Sequence, residues 1–365
     1  MKPLRIELKT SPHLKQAGSV EHIMRNVVYA LLPICAFSIY HFGLSALLLI
    51  LTTTLTCVAT EHLFNRLGRR ENSLSDYSAI ITGILLALTL PPAFPLWMAA
   101  VSAFIGMSLG KVLFGGMGFN AFNPALVGRA FAQAAFPGAI STWTVPGHPD
   151  RFTEVLPSTL TMPFTTPPSV DAYTGATPLA QWKFEGMFTE TTDLLLGLTT
   201  GSVGETSALL IFLCGMYLVV RRLINWRLPA AVLGGAFLTA GVFYLLDPAY
   251  YPSPWFVLLS GGLMLGAFFM ASDMVASPVT PWGVWIYGLL IGFLTVIIRL
   301  FGGLPEGIMY AILLGNAASP LIDHLTQPRP YGKRPPPRLR DALSALRQRL
   351  KPKDRRPAAP GKEGA

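Results

Sequence analysis

Charged side chains are scarce in this chain: Asp, Glu, Lys and Arg make up 13% of its 365 residues, about half the share of a soluble globular protein. That scarcity excludes an ordinary water-soluble domain. Cysteine is almost absent. Cys35, Cys57 and Cys214 lie far apart inside apolar runs, and none stands in CxxC spacing. A disulfide or zinc framework is thereby excluded, which leaves three small buried hydrophobes. There is no P-loop, no dinucleotide-binding glycine pattern, no HExxH and no catalytic triad. The six histidines are scattered and read as surface or interface residues. Met1–Glu21 is polar and lacks the short apolar core of a cleavable signal peptide. The alternating pattern of barrel strands is also missing.

What the chain does have is continuous apolar sequence, 52% hydrophobic in all. A membrane-spanning helix needs about 20 mostly apolar residues. Ten windows qualify, near 24–41, 43–61, 75–91, 95–113, 122–140, 204–220, 228–246, 254–271, 281–299 and 305–323. The fold class is therefore an all-α polytopic membrane protein with about ten transmembrane helices. Pro33, Pro124 and Gly115-Gly116 predict bent or broken helices. Such breaks survive at membrane depth only where protein or a cavity covers the freed backbone groups.

Lys and Arg set the orientation. Lys2, Arg5, Lys9, Lys15 and Arg25 precede or open the first window; Arg66, Arg69 and Arg70 follow the second; Arg221, Arg222 and Arg227 follow the sixth. With ten spans these all fall on one face. The opposite connections, such as Pro91-Pro-Ala-Phe-Pro and Asp247-Pro-Ala-Tyr-Tyr-Pro, carry almost no basic residues. Both termini are then cytoplasmic, and the long polar loop lies outside. The chain divides into a cytoplasmic segment 1–23, a first membrane half 24–140, an outer loop 141–203, a second half 204–326 and a basic tail 327–365. Five spans per half permit an inverted repeat, and Asn120–Pro124 and Asn316–Pro320 give a short internal match. The net charge of +9 belongs to the tail, which holds twelve Lys/Arg and three Asp/Glu. It is not a nucleic-acid surface; a basic tail beside an anionic leaflet explains it. Within the tail, residues 327–337 read as a Pro-rich linker. Leu339, Leu343, Leu346 and Leu350 form one stripe of a surface helix over 338–351, and 352–365 read as disordered.

The outer loop contains Asp171-Ala-Tyr-Thr-Gly-Ala-Thr177. Gly175 and Ala176 keep the backbone slim beside the Thr177 hydroxyl, Asp171 and Thr174 add polar groups upstream, and Pro178 stiffens the exit. A threonine hydroxyl can be esterified by a phosphoryl group, yet by itself this stretch reads first as an ordinary polar turn. Glu205, Asp273, Asp323, Lys111 and Arg129 lie at span ends or beside helix breaks, where ionisable groups are functional candidates or interfacial caps. Glu205 could simply favour a helix N-terminus. Asn120, Asn123 and Arg129 make a second polar cluster, read as near the cytoplasmic face. Trp143, Trp182 and Trp255 read as an aromatic belt, with Trp182 close enough in sequence to pack on a group at Thr177.

The motif resembles the flavinylation site of the B and D subunits of the sodium-pumping quinone reductase and Rnf electron-transport complexes. Other stretches resemble the same family in the same order: Ser75–Pro92, Phe119–Arg129, Gly201–Thr206, Phe269–Asp273 with Ser277-Pro278, and Pro305-Glu-Gly307 through Asp323. The resemblance covers about residues 10–325, and the compact length looks like the Rnf D branch. Thr174 stands where the family most often has Ser; the basic tail lies outside the pattern. The resemblance implies FMN held covalently on Thr177, a second, non-covalent flavin such as riboflavin at Asn120, Asn123 and Arg129, and electron transfer coupled to ion transport in a bacterial inner membrane, with the Thr177 loop periplasmic. It also implies the other membrane and peripheral subunits of that complex and a flavin transferase as partners. Lys183 or Arg151 would neutralise the phosphate charge. A small-solute channel or transporter, or a cofactor-free anchor, would suit the span pattern equally well; Thr177 separates these readings.

Overall fold

The computed structural model describes residues 20–69, 76–163, 165, 174–205 and 207–328. Asp171 and the tail helix expected over 338–351 lie outside the described residues. Among the described residues there is no β-strand, only an isolated antiparallel bridge between Thr144 and Thr174. The all-α class is as expected.

A helix stands at each of the ten predicted segments, but they are not alike. The first half contains α1 (Val20–Phe42), α2 (Leu44–Leu67), α3 (Ser78–Thr89), α4 (Leu96–Met107) and α5 (Pro124–Ala135), with a short α6 (Pro137–Ile140) after it. The outer loop holds α7 (Pro178–Ala180) and α8 (Thr191–Leu196). The second half contains α9 (Ala208–Val220), α10 (Arg227–Leu246), α11 (Pro254–Leu259), α12 (Leu263–Leu265), α13 (Pro281–Phe301) and α14 (Ile308–Thr326). Five of these, α1, α2, α10, α13 and α14, are long and apolar enough to cross a bilayer, and three apolar helices are shorter. The chain is a multi-pass membrane protein. The 12 residues of α3 reach about 18 Å, against a hydrocarbon core of about 30 Å.

Several expected breaks move. Pro33 lies inside a continuous α1, and Pro124 opens α5 rather than interrupting it. Asn123 caps that helix, its Oδ1 accepting from the backbone N–H of Ala125 at 3.0 Å and of Leu126 at 3.4 Å, so the Asn-Pro pair is a start signal. The window 254–271 is not one helix. It breaks at Ser260-Gly261-Gly262, with Gly261 at φ +65°, and resumes as α12 and a π-helical turn over Gly266–Met270. A hydropathy window does not register a backbone break. The internal match also dissolves: Asn120–Pro124 leads into α5 and ends on its first residue, whereas Asn316 and Pro320 lie inside α14. The two copies occupy different places in their helices.

Apolar lipid gives helices little hydrophobic reason to associate, so close packing of small residues does that work. A Cβ on Gly106 of α4 would stand 2.8 Å from the Gly128 Cα of α5. The two backbones touch only because both positions lack side chains. One contiguous apolar core runs through both halves, from Leu31 and Leu49 to Val232 and Ile291. The cysteines are all free and buried.

Candidate functional site

Thr177 begins a tight turn. Its backbone is extended, and its Oγ1 accepts from the N–H of Ala180 at 3.2 Å, capping α7. The turn continues as π-helix through Gln181–Glu185 and closes at Gly186, φ +69°. Upstream, Gly175 N–H donates to the Trp143 carbonyl at 3.0 Å. The two threonines of the motif differ in access. Thr174 is exposed, Gly175 and Ala176 are half-buried, and Thr177 is only 2% exposed.

Three contacts dock the turn. Leu179 is buried with Leu194 and Phe256, and Trp182 packs on the same apolar cluster. Trp182 therefore already has partners. Lys183 Nζ donates to the carbonyls of Arg299 at 2.8 Å, Gly302, and Leu304 at 3.3 Å. A cation at the last turn of α13 and the segment just after it satisfies carbonyls that the helix end leaves open. Burial lowers the Lys183 pKa below the usual lysine range. Arg151 is engaged elsewhere: its Nε donates to Tyr40 O at 2.7 Å and its Nη1 to His148 O at 3.0 Å. Neither cation is poised for a phosphate at Thr177.

Below the turn lies a buried charge centre. Arg129 Nη2 and Glu306 Oε2 pair at 2.7 Å, and Arg129 Nη1 donates to the Thr89 carbonyl at the end of α3. Arg299 is 2% exposed and donates to Val257 O at 2.6 Å and Ser260 O at 3.0 Å. It thus satisfies carbonyls freed by the break after α11. Glu205 interacts electrostatically with Glu306, Arg129 and Arg299. Its Oε2 accepts from Ser202 N–H at 3.4 Å. It does not begin a helix, because α9 starts at Ala208 under a Ser207 cap. The break joins these parts. A Cβ on Gly261 would lie 2.7 Å from Leu179 Cδ1 and 2.9 Å from Arg299 Nη2, and one on Gly262 would lie 3.2 Å from Glu205 Oε1.

A third site lies at the other end of α3. A cavity of about 100 Å³ is lined by Ile23, Lys111, Asn120, Asn123, Phe268 and Asp273, among others. Asn120 Nδ2 donates to Asp273 Oδ2 at 3.2 Å, and Asn123 Nδ2 to Met270 O at 3.2 Å. Asp273 Oδ1 accepts from Val275 N–H at 3.1 Å, and burial raises its pKa against those bonds. Lys111, in the π-helical turn that ends α4, pairs with Glu61 at 2.6 Å. Asp323 plays a structural part, since its Oδ1 accepts from the N–H groups of Val279 and Thr280 at the start of α13.

The expected trio of Asn120, Asn123 and Arg129 is split. Six residues of helix separate Arg129 from Asn123 by about 9 Å along the axis, so Arg129 reaches the Thr89 end and belongs with Glu306. Glu61 and Arg299 were not among the expected residues. Each is an ionisable group in an apolar run, which is the signal that marks them.

Likeness to known proteins decides the family. The model of the NQR2, RnfD, RnfE family matches residues 7–332. The chain belongs to that family. Among its relatives, the D subunit of the "Na(+)-translocating ferredoxin:NAD(+) oxidoreductase complex" of Acetobacterium woodii is 41% identical over 339 residues, covering 91% of this chain and 97% of the relative. The D subunit of the "Proton-translocating ferredoxin:NAD(+) oxidoreductase complex" of Clostridium ljungdahlii is 38% identical over 337 residues, covering 90% and 96%. The D subunit of the "Ion-translocating oxidoreductase complex" of Alcanivorax borkumensis is 38% identical over 339 residues, covering 88% and 96%. Within the NQR2, RnfD, RnfE family, the likeness to these D subunits thus runs nearly end to end.

Proposed function

We propose that this chain is the D-type membrane subunit of an ion-translocating ferredoxin:NAD+ oxidoreductase complex and carries FMN through a phosphoester on Thr177. The carrying observation is the end-to-end likeness to relatives named as such subunits, combined with a Thr-Gly-Ala-Thr stretch whose last hydroxyl starts a turn docked on the buried charge centre. The partners are the complex's other membrane and peripheral subunits and the flavin transferase that matures Thr177. On a count of ten spans, the Lys/Arg asymmetry supports cytoplasmic termini and an outer Thr177 loop; the likeness to Rnf-type D subunits supports a bacterial inner membrane, with that loop periplasmic. Five spans on either side of the outer loop are compatible with an inverted repeat.

The residue types at Thr177 fit the linkage: a secondary hydroxyl flanked by Gly175 and Ala176, which crowd it little. FMN, once attached, supplies one- and two-electron redox chemistry. The chain's own residues supply position. Thr177 fixes the attachment point, Leu179 and Lys183 hold the turn, and the ion pair of Arg129 and Glu306 places fixed charges beneath it. Asn120 and Asn123, with Asp273, offer donors and acceptors in the 100 Å³ cavity for a second, non-covalent flavin. Arg129 is no longer part of that set.

In-gel flavin fluorescence of the denatured chain, co-expressed with a flavin transferase, tests the reading. A fluorescent band in wild type that vanishes in Thr177→Ala is expected. A dark wild-type band, with the transferase active on a control substrate, overturns the covalent flavin and favours a transporter without a cofactor.

A further inference from the structure

We infer that FMN is transferred to Thr177 while the segment from Thr174 to Glu185 is undocked, and that Lys183 is the latch that afterwards closes this hydroxyl to the transferase. The inference rests on Thr177 being the acceptor. It concerns when the acceptor can react.

The chemistry sets an access requirement. Thr177 Oγ attacks the FMN-side phosphorus of a flavin adenine dinucleotide. A new P–O bond forms to Oγ, the pyrophosphate P–O bond breaks, AMP leaves, and the hydroxyl proton passes to a base of the transferase. No electrons are exchanged. Attacking and leaving oxygens stand roughly in line across the phosphorus, so both the hydroxyl and the space beyond it must be open. Docked Thr177 fails the first condition: it is 2% exposed, and its Oγ1 is taken up by the Ala180 N–H. The exposed hydroxyl of the motif is Thr174, the wrong one.

What holds the segment shut is on the same short stretch. Lys183 gives three donors to three carbonyls in the last turn of α13 and just beyond it. Hydrogen bonds from a charged group are stronger than neutral ones. Leu179 plugs the apolar cluster of Leu194 and Phe256 beside Gly261. Releasing Thr177 therefore means withdrawing an ammonium from a helix end and a leucine from its pocket. Gly186, in the left-handed region, ends the latched turn directly after it. Modification that precedes docking avoids both costs, and docking then leaves the flavin's attachment point fixed against α13 and the α11 break.

The test uses the full-length chain made without a transferase, purified in detergent, then incubated with flavin transferase and flavin adenine dinucleotide. In-gel fluorescence is followed over time, with thermal melts to confirm folding. Folded wild type is expected to label slowly. Lys183→Ala should label about tenfold faster or more, the change that loss of one charge-assisted bond brings, and Leu179→Ala, which empties the apolar plug, should also label faster. Lys183→Arg should stay as slow as wild type. If purified wild type labels as fast as both variants, the hydroxyl is open in the docked state and the latch is refuted while Thr177 stands as acceptor. A wild-type chain left dark even on co-expression removes the acceptor itself. Leu179→Ala provides the reading should Lys183→Ala fail to fold.

Discussion

Lys111 and Glu61, fifty residues apart in sequence, form an ion pair of 2.6 Å whose side chains are 3% and 2% exposed. Lys111 Nζ also donates to Ser78 Oγ. The contact ties the end of α4 to α2 and to the first residue of α3, all beside the cavity that holds Asn120 and Asn123. Two opposite charges in so dry a place stabilise one another chiefly by sparing each other isolation.

Removing one partner is therefore expected to cost more than removing both. Glu61→Gln or Lys111→Met alone should destabilise the chain by about 3–5 kcal/mol, and the double variant by clearly less. Thermal melts in detergent across the double-mutant cycle measure this. Additive losses would mean that the pair contributes nothing as a pair.

Gly261→Ala should loosen the Thr177 turn. The position has φ +65°, and the new methyl would press on Leu179 and Arg299. Left-handed backbone on a non-glycine residue costs about 1–3 kcal/mol. The expected result is a lower melting temperature and faster proteolysis between Thr174 and Gly186. Unchanged proteolysis would show that the turn does not depend on the break.

Asp273 predicts a pH dependence with a definite sign. Burial raises its pKa above the ordinary 3.8, so the folded chain binds this proton more tightly than the unfolded one. Its contribution to stability is complete below that ordinary value and is lost as pH rises through the raised one. Asp273→Asn should remove the decline and give a flatter profile of melting temperature against pH. An identical slope in wild type and variant would assign the titration to another group.

Arg129 and Asn123 should separate in their effects on flavin. Asn123→Ala is expected to lower retention of non-covalent flavin in the purified chain and leave the covalent band on Thr177 intact. Arg129→Ala should leave non-covalent flavin bound while destabilising the chain by about 3–5 kcal/mol through the stranded Glu306. Flavin extraction followed by in-gel fluorescence distinguishes the two.

Much of this arrangement is legible in the residues because lipid demands it. Apolar runs locate the helices, and Asn123-Pro124 announces the start of α5. What escapes the sequence is three-dimensional pairing. Nothing near Arg129 points to Glu306, 177 residues later, and closeness in sequence groups it with Asn120 and Asn123 although the helix carries it away. The break at Ser260–Gly262 hides inside an apolar window, since hydropathy weighs side chains and the break is a matter of backbone. Burial of Thr177 is likewise invisible in a stretch rich in small polar residues, where the local composition reads as exposed loop.

The guanidinium of Arg299 has a consequence for leakage. An interrupted helix leaves bare carbonyls, and water chains that gather at such places carry protons. Here Val257 and Ser260 face a fixed cation instead. Arginine does not give up its proton in proteins, and a positive charge at a constriction repels protons and other cations. The break can therefore bend the chain beside the Thr177 turn while its bared carbonyls meet a fixed positive charge.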